Sequence, residues 1–346
     1  MAASLTGSEA TWGRSSRNGV EMAFAEINKA GGINGRQLQL IVHDTKGTTQ
    51  EMGLVVTRLI KSDNVVAILG EVASGLTITG ALIAQQEGVP MITHAATNPR
   101  VTRTGDMIFR VCYTDDFQGF VTAKFARETL KADNAAILYD QALAYSVGLK
   151  DEFKKAFTAM GGTITVEQAY TQGDQDFSAQ LNTIRASNPA VVFVPGYYTD
   201  VGNILLQADR AGIRVPMLGG DGWDSPQLAT IAGKAAEGHY YCNHMIAESP
   251  DPDLQRFVAT YREKHGVIPD AMAALAYDSA NVLAEALKRS SSLSGRDLAA
   301  AIAQTKDHKG VTGLITIDEN RDAKKPAVIV QIRDGAPKFV AEVTPD

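Results

Sequence analysis

Val65-Val66-Ala67-Ile68-Leu69 runs straight into Gly70-Glu71-Val72-Ala73-Ser74-Gly75, then into the helix-patterned stretch Ser74 to Glu87 and the short run Pro90-Met91-Ile92-Thr93. Five apolar residues in a row predict a strand covered on both faces. The Gly and Ser residues after it predict a tight turn that opens a helix. Strand, helix and strand joined by a few residues is the unit of a parallel sheet with helices packed on its faces.

The same unit repeats outward in both directions. Upstream, Thr49 to Asp63 places Met52, Val55, Val56, Leu59 and Ile60 at helical spacing, Leu38 to Asp44 reads as a strand, and Gly19 to Ala30 reads as a helix stopped by Gly31-Gly32. That helix should follow a first strand, for which only Ala2-Ala3-Ser4-Leu5 is left, so the start reads as a trimmed N-terminus. Downstream, a second series has helices at Phe117 to Leu130, Tyr145 to Met160, Phe177 to Ser187 and Asp200 to Ala211. Strands alternate with them at Ala135 to Tyr139, Thr163 to Tyr170, Val191 to Pro195 and Val215 to Leu218. Two series predict an α/β chain with two doubly wound, Rossmann-like lobes, and ligands in such sheets sit at the C-terminal ends of the strands.

From about residue 238 the pattern changes. Gly238 to Met245 is strand-like, Asp253 to His265, Met272 to Lys288 and Gly295 to Gln304 are helical, and Gly313 to Ile317, Ala327 to Ile332 and Lys338 to Val343 are short strands. Asp334-Gly335 predicts a hairpin turn between the last two. No low-complexity linker separates the two series, which points to crossover segments between the lobes.

Composition bounds the function. The 346 residues suit two cores better than one. With 45% hydrophobic and 21% charged residues the chain supports packed globular structure. A net charge of −6 argues against a nucleic-acid partner, which needs a basic face. No apolar run approaches the ~20 residues that span a bilayer, and no basic start followed by an apolar stretch marks a secretory signal. Cys112 and Cys242 exclude a disulfide-rich scaffold and a four-cysteine zinc site. Two buried thiols is the favoured reading, with one disulfide left open.

Catalytic signatures are missing. There is no GxGxxG after a strand, no GxxxxGK[ST] and no GxSxG. His239 and His244, five apart in a strand, fall on opposite faces and make no metal pair. Nothing joins a nucleophile to a base, so neither an enzyme nor a cofactor or metal is expected. Polar groups instead gather at strand ends. Ser74 opens a helix after one strand, and Ala95-Ala96-Thr97-Asn98-Pro99 follows the next, a pairing suited to a carboxylate. In the second series Asp221, Tyr145, Tyr197 and Tyr198 follow strands, and an acid with phenol hydroxyls suits an ammonium group.

These residues lie among stretches that resemble the branched-chain amino-acid (Leu/Ile/Val) type of periplasmic substrate-binding protein of ABC transporters. The resemblance runs through Leu5-Thr6-Gly7, Trp12-Gly13, Asn18-Gly19, Ile27-Asn28-Lys29-Ala30-Gly31-Gly32-Ile33-Asn34-Gly35, Ala95-Ala96-Thr97-Asn98-Pro99, Phe109-Arg110, Gln118-Gly119, Asp176-Phe177-Ser178, Gly196-Tyr197-Tyr198, Ala235, Glu237-Gly238 and Ala276-Tyr277-Asp278. It implies two lobes joined by three crossovers near 112–117, 241–247 and 313–322. One lobe would hold 1–115 with 246–318, the other 116–245 with 319–346. It also implies a ligand cleft between lobes, a membrane permease as partner, a periplasmic location after signal removal, and a monomer.

Carried over residue by residue, the resemblance puts Ser74 and Thr97 on a ligand carboxylate and the Ala95 carbonyl on its ammonium. Tyr145, Tyr197 or Tyr198, and Asp221 match ammonium-side positions, Asp115 a cleft-edge acid, and Trp12 and Tyr277 cleft-lining aromatics. Four positions depart from the pattern: Glu71, His94, Phe117 and Trp223. His94, Trp12, Phe117 and Trp223 keep open an aromatic carboxylate, amide or urea-type solute in place of an α-amino acid. A cytoplasmic ligand-sensing regulator on the same fold is a further alternative.

Overall fold

The computed structural model describes residues 1–345; residue 346, the end of the second lobe as read from sequence, lies outside them. The chain divides into two compact units, Met1–Tyr113 with Ser249–Lys325, and Thr114–Glu248 with the chain from Pro326 onward. Each unit is therefore assembled from separate stretches of sequence.

Unit 1 begins with β1 (Ala2–Ala3), α1 (Ala10–Lys29), β2 (His43–Asp44), α2 (Thr49–Lys61), β3 (Ile68–Leu69), α3 (Ser74–Glu87), β4 (Met91–Thr93) and β5 (Ile108–Arg110). β1 pairs in parallel with β2, and β3, β4 and β5 pair in parallel in that order. The apolar run that opened the sequence reading is strand only in its last two residues. Val66 is 40% exposed, so coverage on both faces fails for the first part of the run.

α1 starts nine residues before the sequence reading placed it. Glycines inside it hid the pattern, and packing explains two of them. A Cβ at Gly13 would meet the Ser4 carbonyl oxygen at 1.9 Å, and one at Gly19 would meet that of Ala273 at 2.1 Å. Glycine is weak in a helix by roughly 1 kcal/mol, but only glycine admits these neighbours.

In unit 2, α4 (Asp115–Lys124) runs into a π-helical turn (Phe125–Thr129). Then come β6 (Asn134–Asp140), α5 (Ala144–Ala159), β7 (Thr163–Tyr170), α6 (Ser178–Ala186), β8 (Val191–Phe193), α7 (Tyr198–Arg210), β9 (Met217–Gly219), α8 (Pro226–Ala232) and β10 (Tyr240–Asn243). The chain re-enters unit 1 as α9 (Pro252–His265), α10 (Ala271–Arg289), α11 (Gly295–Ala303), β11 (His308–Gly310), β12 (Gly313–Ile317) and β13 (Ala323–Lys324). It closes unit 2 with β14 (Ala327–Arg333) and β15 (Ala336–Val343).

The unit 2 sheet has seven strands in the order β15-β14-β10-β9-β8-β6-β7. β7 to β10 and β6 pair in parallel, while β14 is antiparallel to both β10 and β15. Asp334 and Gly335 form the two-residue turn of that last hairpin, with φ of 53° and 72°. Both values are positive, as a type I′ turn requires. The third crossing between units falls at 325/326 and not near 318, because β13 pairs with β12 and keeps its strand in unit 1.

Candidate functional site

In unit 1 the loops after β3 and β4 bring Ser74, Ala95 and Thr97 together at strand ends. Ser74 is the first residue of α3 and is buried; its Oγ accepts the Asn98 amide at 3.3 Å. Thr97 is buried too, and its Oγ1 has no hydrogen-bond partner among the described residues. Buried hydroxyls are ordinarily satisfied, so an open one beside a helix N-terminus is a receptor for an acceptor-rich ligand.

A residue outside the sequence-based set shapes this loop. Arg110, at the end of β5, is fully buried. Its Nη1 donates to the Ala96 carbonyl at 2.6 Å, and its Nη2 donates to Asn98 at 2.9 Å and to Thr102 Oγ1 at 3.1 Å. Its Nε pairs with Asp322 at 2.5 Å. The planar guanidinium thus fixes two carbonyls of the 95–98 loop at once. Thr93 adds a second brace, accepting the Ala96 amide at 3.0 Å and donating to the Glu71 carbonyl at 2.6 Å.

Glu71 does not serve as a ligand group. Its Oε1 accepts from Ser4 at 2.7 Å and Thr45 at 3.1 Å, and its Oε2 from the amides of Val72 at 2.7 Å and Ala73 at 3.1 Å. Four donors fill a carboxylate, so Glu71 is a strut that ties the turn after β3 to the chain's first strands. Tyr277 is likewise committed: its hydroxyl donates to Glu26 at 2.6 Å and its ring packs on Phe257, 5.0 Å between centroids. It belongs to the packing of α10 against α1 and α9, contrary to the cleft-lining expectation. Trp12, in α1, is buried.

His94 is buried, with Nε2 2.8 Å from Ser16 Oγ. Burial pushes its imidazole down from 6.5 to about 3. The folded chain therefore holds His94 neutral where the unfolded chain already protonates it. The stability this protects is complete above pH 6.5 and is lost as the pH falls toward 3. His94→Gln is expected to flatten the acid limb of stability, by up to ~1.4 kcal/mol per pH unit between about pH 6 and 4. Urea denaturation across that range measures it, and an unchanged slope would refute a neutral buried imidazole.

In unit 2 the loops after β6, β8 and β9 supply the complementary set. Asp221 follows β9 in one turn of 3₁₀-helix and is buried. Its Oδ2 lies 3.0 Å from His244 Nε2, while its Oδ1 has no partner among the described residues. Tyr145, in the first turn of α5, is buried, and its hydroxyl accepts the Gly222 amide at 3.2 Å. Burial first, then the Asp221 and Asp115 charges, push its phenol well above 10. It stays protonated and keeps its O–H to donate. Tyr197 stacks on it at 5.2 Å and 24°, and Tyr198, buried, opens α7.

Asp115, buried at the start of α4, accepts from Gln118 Nε2 at 3.4 Å, and Gln118 Oε1 accepts the Asp221 amide at 2.6 Å. Gln118 therefore links the two acids. Its position one turn after Asp115 was the available signal, as was the Gln118-Gly119 stretch of the resemblance. From sequence His244 is weighed only as half of a metal pair with His239, and its spacing to Asp221 carries no local signal. Phe117 is half-buried on α4. Trp223 is a core residue and not a pocket wall. It is fully buried, its Nε1 donates to the Val194 carbonyl at 2.9 Å, and it fills the space where a Gly219 Cβ would stand, 2.1 Å from its ring.

Unit 1 thus offers hydroxyls and a helix N-terminus, and unit 2 a carboxylate with an open oxygen beside phenols. Both sets are suited to recognising charge. Cys112 and Cys242 are both buried. Among the described residues no helix is long and apolar enough to cross a membrane.

Comparison with known proteins agrees with this chemistry. The model of the periplasmic binding protein family matches residues 1–337. A Leu/Ile/Val-binding protein homolog 2 of Brucella abortus is 33% identical over 339 residues, 97% of this chain and 90% of that protein. Among solved structures, a leucine binding protein LivK from Thermotoga maritima superposes with a TM-score of 0.95 at 36% identity, covering 99% of this chain and 97% of the other. The branched-chain amino acid transporter substrate binding protein LivJ from Streptococcus pneumoniae, in complex with isoleucine, gives 0.94 at 31% identity, covering 99% and 98%. A solute binding protein of an ABC transporter from Rhodopseudomonas palustris, in complex with 3,4-dihydroxybenzoic acid, gives 0.87 at 26% identity, covering 99% and 96%. By fold, by sequence and by the chemistry of its strand ends, the chain belongs to the periplasmic binding proteins, within the branched-chain amino-acid-binding group of ABC-transporter substrate-binding proteins, which bind solutes and catalyse nothing.

Proposed function

We propose that the protein captures an α-amino acid with an apolar side chain outside the cytoplasm and hands it to an ABC-transporter permease. Ser74 and Thr97 take the carboxylate, and the Ala95 carbonyl, Asp221 and the Tyr145–Tyr197 pair take the ammonium. The observation that carries this reading is the pairing of open polar atoms of opposite character: the Thr97 hydroxyl in unit 1 and Asp221 Oδ1 in unit 2. An α-amino acid bears an anion suited to the first and a cation suited to the second. A simple carboxylate leaves Asp221 Oδ1 unmatched, and a buried unmatched acceptor costs about 1–3 kcal/mol or more when charged.

A panel of leucine, isoleucine, valine, benzoate and 3,4-dihydroxybenzoate in a thermal-shift assay tests the reading. A ligand that binds only the folded chain raises the melting temperature by mass action. Amino acids are expected to stabilise and the aromatic acids not to. The reverse result would move the solute to the aromatic-acid class, which the relative with a bound dihydroxybenzoate keeps in view.

A further inference from the structure

We propose that His244 is the positioning residue of the ammonium site and makes solute capture sensitive to acid: neutral, it holds Asp221 for the solute, and protonated, it takes the solute's place on that carboxylate. The inference rests on the functional reading above and adds a proton to the same site.

Unit 2 builds the pair from two neighbouring strands. β9 and β10 run in parallel, Tyr240 opposite Leu218 and Tyr241 opposite Gly219, and β14 holds the other side of β10, with Asn243 opposite Val328. β9 ends at Gly219, and Asp221 opens the 3₁₀ turn that follows. β10 ends at Asn243, and His244 is the next residue, its amide donating to Asn243 Oδ1 at 2.8 Å. Strands that end side by side thus bring His244 Nε2 to 3.0 Å from Asp221 Oδ2. The imidazole is 0% exposed and the carboxylate 4%. Gln118 fixes the turn from α4, its Oε1 accepting the Asp221 amide at 2.6 Å.

An ionised carboxylate only accepts, so Nε2 carries the hydrogen of this contact in both the neutral ring and the imidazolium. The two forms differ by one charge. With the ring neutral the pair carries −1, and Asp221 Oδ1 has no partner among the described residues. With the ring protonated the pair is neutral, and an arriving ammonium meets a carboxylate that already holds a cation. Like charges at that range oppose each other. Bound proton and bound solute therefore weaken each other by the same factor. When solute binds the acid form, the proton leaves from Nδ1 to the buffer, and Nε2 keeps its hydrogen on Asp221.

Histidine is the side chain whose ordinary titration falls between pH 5 and 8. Unit 2 holds two, and burial pushes His239 from 6.5 down to about 4. The other ionisable groups around the pair are Asp115 on α4, Tyr145 on α5, Tyr197 before α7, Asp224 after the 3₁₀ turn, and Tyr241 and Cys242 on β10. Tyr145 keeps its proton throughout this range, and Tyr241 donates to Asp224 Oδ1 at 3.0 Å. Asp200, raised to about 6 by burial, titrates in the range too, but the charges acting on it are Asp140 and Asp174. A substitution at 244 separates the two.

Calorimetry of leucine binding between pH 5 and 8, repeated in buffers of different ionisation enthalpy, tests the inference. Toward the acid end the wild type is expected to release close to one proton per leucine bound and to lose affinity by about tenfold per pH unit. His244→Gln keeps a donor for Asp221 Oδ2 and cannot titrate, so its proton release should vanish and its affinity should be flat with pH. A purely structural role for His244 would change affinity equally at every pH. Proton NMR of the wild-type imidazole signals reads the same linkage without a variant: leucine should shift the titration of one histidine to lower pH. Affinity flat with pH in the wild type, proton release that persists in His244→Gln, or histidine titrations untouched by leucine overturns the inference while leaving the functional reading in place. Failure of leucine, isoleucine and valine to bind at pH 8 overturns the functional reading, and the inference with it.

Discussion

Asp221→Ala is expected to weaken binding of the cognate amino acid by roughly thirtyfold to several thousandfold, the 2–5 kcal/mol that removal of one partner from a buried charge pair typically costs. The carboxylate is buried, with one oxygen on His244 and the other open. In the proposed role that buried oxygen would accept from the ligand's ammonium, and a charge-assisted hydrogen bond is stronger in a buried setting than at a surface. Calorimetry with leucine and isoleucine measures the change. Asp221→Asn, which keeps size and an acceptor oxygen but loses the charge, should fall between the wild type and the alanine variant. Affinity within about twofold of wild type in the alanine variant, with an intact fold by circular dichroism, removes Asp221 from the ammonium site.

Arg110→Met should lower unfolding stability by about 2–4 kcal/mol, because each buried acceptor left without its donor costs about 1–3 kcal/mol while the partly exposed Asp322 can be hydrated. Methionine fills part of the volume but removes the guanidinium donors from the Ala96 and Asn98 carbonyls, the Thr102 hydroxyl and the Asp322 carboxylate, which keeps Thr102 as a side-chain donor. The loop that carries Thr97 would lose its brace, so affinity should fall together with stability. Guanidinium denaturation reads the first effect and calorimetry the second. A loss of stability below about 1 kcal/mol would mean that water or neighbouring groups satisfy those carbonyls.

Local patterns made most of the elements readable. Ser74–Glu87, Thr163–Tyr170 and Gly313–Ile317 have the same limits in the structure as in the sequence reading, because apolar spacing and flanking glycines agree there. Errors came where tertiary neighbours overrode the pattern. α1 was cut short because Gly13 and Gly19 answer to Ser4 and Ala273, far away in sequence. The helix Pro226–Ala232 was missed although Ser225 caps it and proline opens it; two buried apolar residues in seven give little periodicity. β5 was missed because three residues carry no period.

The site divides in the same way. Residue type and place after a strand nominate Ser74, Thr97, Tyr145, Tyr197 and Asp221 as candidates. Nothing local separated them from Glu71, Tyr277 and Trp223, which carry the same chemistry but have spent it on Ser4, Glu26 and Val194. The same holds for Arg110, Gln118 and His244, whose importance lies largely in distant partners, up to 212 residues away. The order of strands and helices, and the kinds of charge at strand ends, are properties of short windows of chain. Which polar atoms remain open for a ligand depends on who else has bonded them, and that accounting closes only when distant segments meet.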